Sequence, residues 1–156
     1  MKQRIYIDTS VIGGCYDEEF EIWSNHLIDE FKIGLKIAIV SDITYRELEL
    51  APERVQKVLS RIPIDHIHEI ETTGETEELA EKYIAEGAIV EKFYEDALHI
   101  ANATVEEVHV LASWNFKHIV NLDSIRKYNG VNLKNGYKTI EIRTPREILK
   151  SNENEN

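Results

Sequence analysis

Four polar residues stand where strand-like runs end or helical runs begin. Asp8 closes Ile5-Tyr6-Ile7, Glu47 follows Ile37-Ala38-Ile39-Val40, Asp96 opens an Ala-rich helical stretch, and Asn115 lies just past the apolar run 108–112. In an open α/β sheet, ligands gather at the carboxyl ends of the strands, where such residues converge. Acids gathered there repel one another, by roughly 4 kcal/mol per pair at 4 Å and an effective dielectric of 20. A cation or shared protons must neutralise them, and the expectation is a divalent-metal site. Hard cations such as Mg²⁺ take oxygen ligands and keep several waters, so two or three carboxylates suffice. A metal held this way lowers the pKa of a bound water and orients it for in-line attack on a phosphodiester. Singly, each acid has a plainer role as a helix cap or a solvated loop residue; their order along the chain makes the set specific.

The elements that must position these residues alternate. Residues 3–8 form an apolar run without polar alternation, as a strand buried on both faces requires. Gly13-Gly14 breaks the chain, and Phe20, Trp23, Leu27, Ile28 and Phe31 recur at spacings of three and four, predicting a helix that stops at Gly34. Residues 37–40 read as a second buried strand, 44–50 as a short helix carrying Glu47, and 53–61 as a further helix stopped by Pro63. A short strand at 67–70 and helices at 76–89 and 96–106 follow. A strand over 108–112 leads into Ser113-Trp114-Asn115. The remaining expectations are a helix over 121–129 ended by Asn129-Gly130, a late strand at 140–142, and a helix opened by Thr144-Pro145. Strands alternating with helices imply an α/β fold around a mainly parallel sheet. Residues 1–150 read as a single domain, and residues 151–156 as a polar, disordered tail.

A chain of 156 residues with 42% hydrophobic and 30% charged residues can bury a real core and is not composed like a disordered one. No apolar run approaches a membrane span, no leader is expected, and one cysteine, Cys15, excludes a disulfide framework and a cysteine-cluster zinc site. A cytoplasmic location fits these features. The net charge of −11 argues against a nucleic-acid partner, but its distribution is uneven. Residues 1–109 carry 24 acids against 10 Lys or Arg, whereas residues 110–150 carry 3 acids against 8. Such asymmetry can mark a face for polyanions, and it also describes ordinary solvated surface.

The motifs Ile-Asp-Thr-Ser-Val (7–11), Ser-Asp-Ile-Thr-Tyr-Arg-Glu-Leu (41–48), Glu-Asp-Ala-Leu-His-Ile-Ala (95–101) and Ala-Ser-Trp-Asn-Phe (112–116) resemble those of a PIN domain, most of all the bacterial and archaeal PIN proteins related to VapC-type toxins. The resemblance runs from residue 3 to about 148. It implies a three-layer α/β/α sandwich with a central, mainly parallel sheet, and metal-dependent cleavage of RNA. By match to the motifs, Asp8 and Asp96 would be the principal Mg²⁺ or Mn²⁺ ligands. Glu47 would complete the acidic set, directly or through water, and Ser10 would orient the site. Asn115 is the departure, since many PIN domains carry an Asp in this segment. An Asn offers a neutral oxygen and no charge, which should weaken a second metal more than the first. Ser113 is expected as a further orienting hydroxyl. The resemblance also implies a small antitoxin protein as partner, and a homodimer.

Weaker candidates surround these. His99, three residues after Asp96 on the same helical face, could border the cleft and touch substrate, though a packing role is the plainer one. Lys117 and His118 follow Asn115 closely and could contact a phosphate, though a solvated loop is the plainer reading. Trp114, beside a buried strand, reads as core, Cys15 as a small buried side chain, and Glu49 as surface. Three functions compete: a metal-dependent endoribonuclease acting as the toxin of a type II toxin–antitoxin pair, a catalytically silent PIN domain that binds RNA or protein, and a phosphohydrolase with Asp8 as nucleophile. The last usually needs a second acid where Ser10 stands. No phosphate loop or dinucleotide fingerprint is present.

Overall fold

The computed structural model describes residues 1–154. In chain order the main elements are β1 (Arg4–Ile7), α1 (Thr9–Gly14), α2 (Glu21–Lys32), β2 (Ile37–Ser41), α3 (Asp42–Leu48), α4 (Glu53–Gln56), β3 (Ile67–Ile70), α5 (Gly74–Ala85), α6 (Tyr94–Val105), β4 (Val110–Ala112), α7 (Leu122–Lys134), β5 (Glu141–Arg143) and α8 (Pro145–Asn154). The five strands form one sheet in the order β3-β2-β1-β4-β5, and every pairing is parallel. Tyr6 is paired to Ile39 on one side and Leu111 on the other, which fixes β1 at the centre. The chain winds outward from β1 to β3 and then returns to place β4 on the opposite flank. The order therefore reverses between β1 and β4, and a crevice opens beyond their carboxyl ends.

Successive side chains of a strand point to opposite faces, so a central strand must supply both cores. Ile5 and Ile7 pack with Leu27, Ile28 and Phe31 of α2 and with Ile148 and Leu149 of α8. Tyr6, Ile39 and Leu111 face the other way, toward Leu79 and Tyr83 of α5, Ile100 of α6 and Tyr128 of α7. Residues 5–7 are fully buried, the physical reason the run shows no polar alternation. The result is the three-layer α/β/α arrangement expected of a PIN-like chain.

Five elements differ from their sequence expectations. Gly13-Gly14 does not break the chain but completes α1. A Cβ on Gly14 would lie 2.5 Å from Ser24 Oγ and 2.9 Å from Trp114 Nε1, so the glycine serves close packing. The helix expected over 53–61 divides into α4 and a 3₁₀ turn at Val58–Arg61, with Ile62 extended ahead of Pro63, as a residue before proline prefers. Helix α7 runs through Gly130 to Lys134. A helical glycine costs about 1 kcal/mol relative to alanine, and burial of Val131 and Asn132 just beyond it offsets that. Helix α5 stops earlier than expected, at Ala85, because Gly87 has φ +80 and the Ala88 amide donates back to the Tyr83 carbonyl. Helix α8 includes residues 151–154 of the expected polar tail, and residues 155–156 lie outside the described residues. Among the described residues no helix is long and apolar enough to cross a membrane.

Candidate active site

Asp8 sits where β1 becomes α1. Its amide makes the last link to β4, donating to the Ala112 carbonyl at 3.4 Å, and its side chain caps α1 by accepting from the Val11 amide at 3.2 Å. Ser10 Oγ donates to Asp8 Oδ1 and Ser113 Oγ to Asp8 Oδ2, both at 2.6 Å. The same hydroxyls accept from the other side: Ser10 Oγ from the Trp114 amide and Ser113 Oγ from the Asn115 amide, both at 2.9 Å. Two serines thus tie the turn after β1 to the turn after β4. Burial pushes the Asp8 carboxyl above the ordinary range, against the pull of His99 and of these hydrogen bonds.

Glu47 approaches from α3. Its Oε1 accepts from Thr9 Oγ1 at 3.0 Å and from His99 Nε2. His99 is 2% exposed. Its Nδ1 is hydrogen-bonded to the Tyr6 hydroxyl at 2.6 Å, and that hydroxyl is in turn 2.7 Å from Ser41 Oγ. Burial alone would lower the imidazole's pKa, but Tyr6, the hydrogen bond and charge of Glu47, and the charge of Asp8 carry it well above the ordinary value. Burial would likewise raise Glu47, yet the hydrogen bond and charge of His99, with Thr9 and Arg46, hold it below the usual range.

Asp96 enters from the first turn of α6, where a carboxylate also favours the helix dipole. Burial pushes its carboxyl up to about 6, with Asp8 and Glu47 adding repulsion, against the opposing pull of His99 and of the Asn115 hydrogen bond. Asn115 Nδ2 donates to Asp96 Oδ2 at 3.3 Å, while Asn115 Oδ1 accepts from the His118 amide at 2.9 Å. The asparagine amide is used at both ends, as a strut between the turn after β4 and helix α6.

These oxygens suit a hard cation bound with few protein ligands. A carboxylate offers about four lone pairs; Asp8 has three engaged, leaving one on Oδ2. Asp96 Oδ1 and Glu47 Oε2 accept no hydrogen bond from the described residues, and no buried side-chain oxygen among these lacks a partner, so both reach solvent. Among the described residues no three His, Cys, Asp or Glu side chains close into a ready-made metal cage. Mg²⁺ does not ask for one, since it is commonly held by one or two carboxylates and retains water.

Asp8, Ser10, Glu47, Asp96, His99, Ser113 and Asn115 are therefore brought together at the switch point. Lys117 is exposed, and its charge adds to burial in lowering the His118 imidazole. Trp114 is buried, stacked on Phe20 at 4.3 Å, and donates to Ser24 Oγ. Cys15 is buried and its thiol pushed up to about 11 by desolvation. Sequence reasoning missed Tyr6, Thr9 and Ser41. Tyr6 carried one usable signal: it is the lone hydroxyl in an otherwise apolar run, out of phase with Ile5 and Ile7.

No family model matches the sequence, and no curated protein matches it. Among solved structures the fold is similar to the Mycobacterium tuberculosis VapC20, a sarcin–ricin loop cleaving toxin, with a TM-score of 0.56 and 14% identity over 73% of this chain and 92% of that one. It is also similar to VapBC2 from Rickettsia felis, solved bound to a DNA fragment from their promoter, with a TM-score of 0.54 and 15% identity over 91% of this chain and 98% of that one. The structural match to VapC toxins, and with it the PIN-like fold, extends over most of the chain.

Proposed function

We propose that this protein is a metal-dependent endoribonuclease and the toxin of a toxin–antitoxin pair. The gathering of three acids carries the reading: Ser113 joins Asp8 to the turn after β4, Asn115 in that turn joins Asp96, and Thr9 beside Asp8 joins Glu47. The likeness in fold to an RNA-cleaving toxin supports RNA as the substrate, and the likeness to VapBC2 supports a small antitoxin as partner.

Asp8 and Asp96 would hold Mg²⁺ or Mn²⁺, with Glu47 completing the set directly or through water. When bound, the ion would supply an acidified water and neutralise the phosphate's charge. The protein's own part is placement. Ser10, Ser113 and the Val11 amide fix the Asp8 carboxylate on three sides, so it does not reorganise as charge develops. Glu47, held at Oε1 by Thr9 and His99, would orient that water through its other oxygen. Lys117, exposed two residues past Asn115, is available to flanking phosphates. Asn115 holds Asp96 without adding charge, which favours one ion over two.

The test is incubation of the purified protein with RNA and Mg²⁺ or Mn²⁺, beside Asp8→Asn and Asp96→Asn variants of unchanged circular dichroism. Cleavage is expected from the wild type and lost in both variants. Cleavage by Asp8→Asn at the wild-type rate would sink the mechanism.

A further inference from the structure

The chain of contacts Glu47–His99–Tyr6–Ser41 crosses from the crevice into the sheet. It joins a side chain of α3, one of α6, Tyr6 of the central strand β1 and Ser41 at the end of β2. Tyr6, His99 and Ser41 are all at most 2% exposed. Buried polar groups of this kind are tolerated when every member is paired, and a fully paired network is rigid. Here the pairing is complete, since no buried side-chain nitrogen or oxygen among the described residues lacks a partner. Both ring nitrogens of His99 are committed, so it has none left for substrate. Glu47, by contrast, is 28% exposed at its side chain and has only one oxygen engaged. A glutamate on an open rim samples many rotamers unless something holds it. Thr9 and His99 converge on Oε1, which leaves Oε2 as the free atom.

We infer that His99 is a positioning residue: anchored through Nδ1 by the Tyr6 hydroxyl, it grips Glu47 by Oε1 and so presents Oε2 to the crevice. The inference rests on the ribonuclease reading and assigns His99 its part in that site. His99 acts entirely through Glu47, and Tyr6 acts entirely through His99. Such outer partners of a metal-site residue typically contribute 10- to 100-fold in affinity or activity.

A double-mutant cycle tests this, read by Mn²⁺ affinity from calorimetry and by kcat and KM on an RNA oligonucleotide. His99→Leu keeps the packing volume and leaves the Tyr6 hydroxyl its Ser41 partner. It is expected to weaken Mn²⁺ binding and lower kcat about 10- to 100-fold, with KM little changed. In a Glu47→Gln background the same change should add less than about twofold. His99→Gln, whose amide can still donate to Glu47, should recover part of the loss. Tyr6→Phe should show a smaller loss in the same sense, and with His99→Gln it carries the test if His99→Leu does not fold. Equal losses in both backgrounds overturn the proposal, as does a fall in thermal stability with Mn²⁺ affinity and kcat unchanged. A wild-type protein that neither takes up Mn²⁺ nor cuts RNA defeats the ribonuclease reading, and this one with it. An active wild type with additive losses defeats this one alone.

Discussion

Replacing Asp96 by Asn should make the metal-free protein more stable, although it removes a residue that the proposed metal site needs. The Asp96 carboxyl rises from the ordinary 3.8 to about 6 because burial and the charges of Asp8 and Glu47 disfavour ionisation. At 1.36 kcal/mol per pH unit, that gap means ionised Asp96 destabilises the fold by about 3 kcal/mol at most. The carboxyl is partly open to solvent, so screening reduces this to roughly 1–2 kcal/mol. Asn keeps an oxygen to accept from Asn115 Nδ2 and carries no charge. For a domain of this size 1 kcal/mol is about 2–4 °C in Tm, so metal-free Asp96→Asn should melt about 2–8 °C above wild type at pH 8. The sign with pH follows by linkage. Between 3.8 and about 6 the folded state holds the proton and the unfolded state has released it, so stability falls as pH rises through that window. The Tm advantage of Asp96→Asn should therefore be full above about pH 6.5, shrink as the pH is lowered through 6, and vanish near pH 4. Adding Mn²⁺ should raise the wild-type Tm and leave the variant nearly unmoved. The assay is differential scanning fluorimetry in chelator and in Mn²⁺ across pH. A metal-free variant that melts at or below wild type at pH 8 would refute the claim that burial and the neighbouring acids disfavour ionised Asp96.

Three further outcomes follow from the same geometry. Asn115→Asp adds a carboxylate beside Asp96 and should lower metal-free stability while raising the number of Mn²⁺ ions bound, counted by calorimetry; an unchanged stoichiometry would show that Asn115 does not limit the site. Ser113→Ala removes the donor to Asp8 Oδ2 and the acceptor for the Asn115 amide, and urea melts should show a loss of about 1–3 kcal/mol. Gly14→Ala drives a Cβ to 2.5 Å from Ser24 Oγ, and overpacking of this kind should cost about 1–3 kcal/mol in the same assay.

The parallel sheet was legible because strands buried on both faces read as short apolar runs, and 37–40 and 67–70 fall within one residue of the observed β2 and β3. Helices were legible where an apolar stripe ran along them, as in α2 and α6. Their ends were less so, because glycine has opposite meanings that only context separates. Gly87 ends α5 with a left-handed residue, whereas Gly130 lies inside α7, held there by the burial of Asn132 against Tyr83 and Thr104.

What the sequence determined by itself is the inventory and address of the acids. Asp8, Glu47 and Asp96 stand at the ends of elements that the hydrophobic pattern predicts, and a parallel sheet can gather them only at its carboxyl edge. What the tertiary structure decided is which oxygens remain open. Hydrogen bonds at sequence separations of 105, 38 and 52 residues commit Asp8 Oδ2 to Ser113 and Glu47 Oε1 to Thr9 and His99. Local pattern cannot encode such pairings, because each depends on two elements packing in one register across the sheet. His99 shows the difference most clearly. From its spacing it could border the cleft, with a packing role the plainer reading, and nothing local named its partners. The fold buries it beneath the crevice, where β1 turns Tyr6 toward α6 and both ring nitrogens are taken.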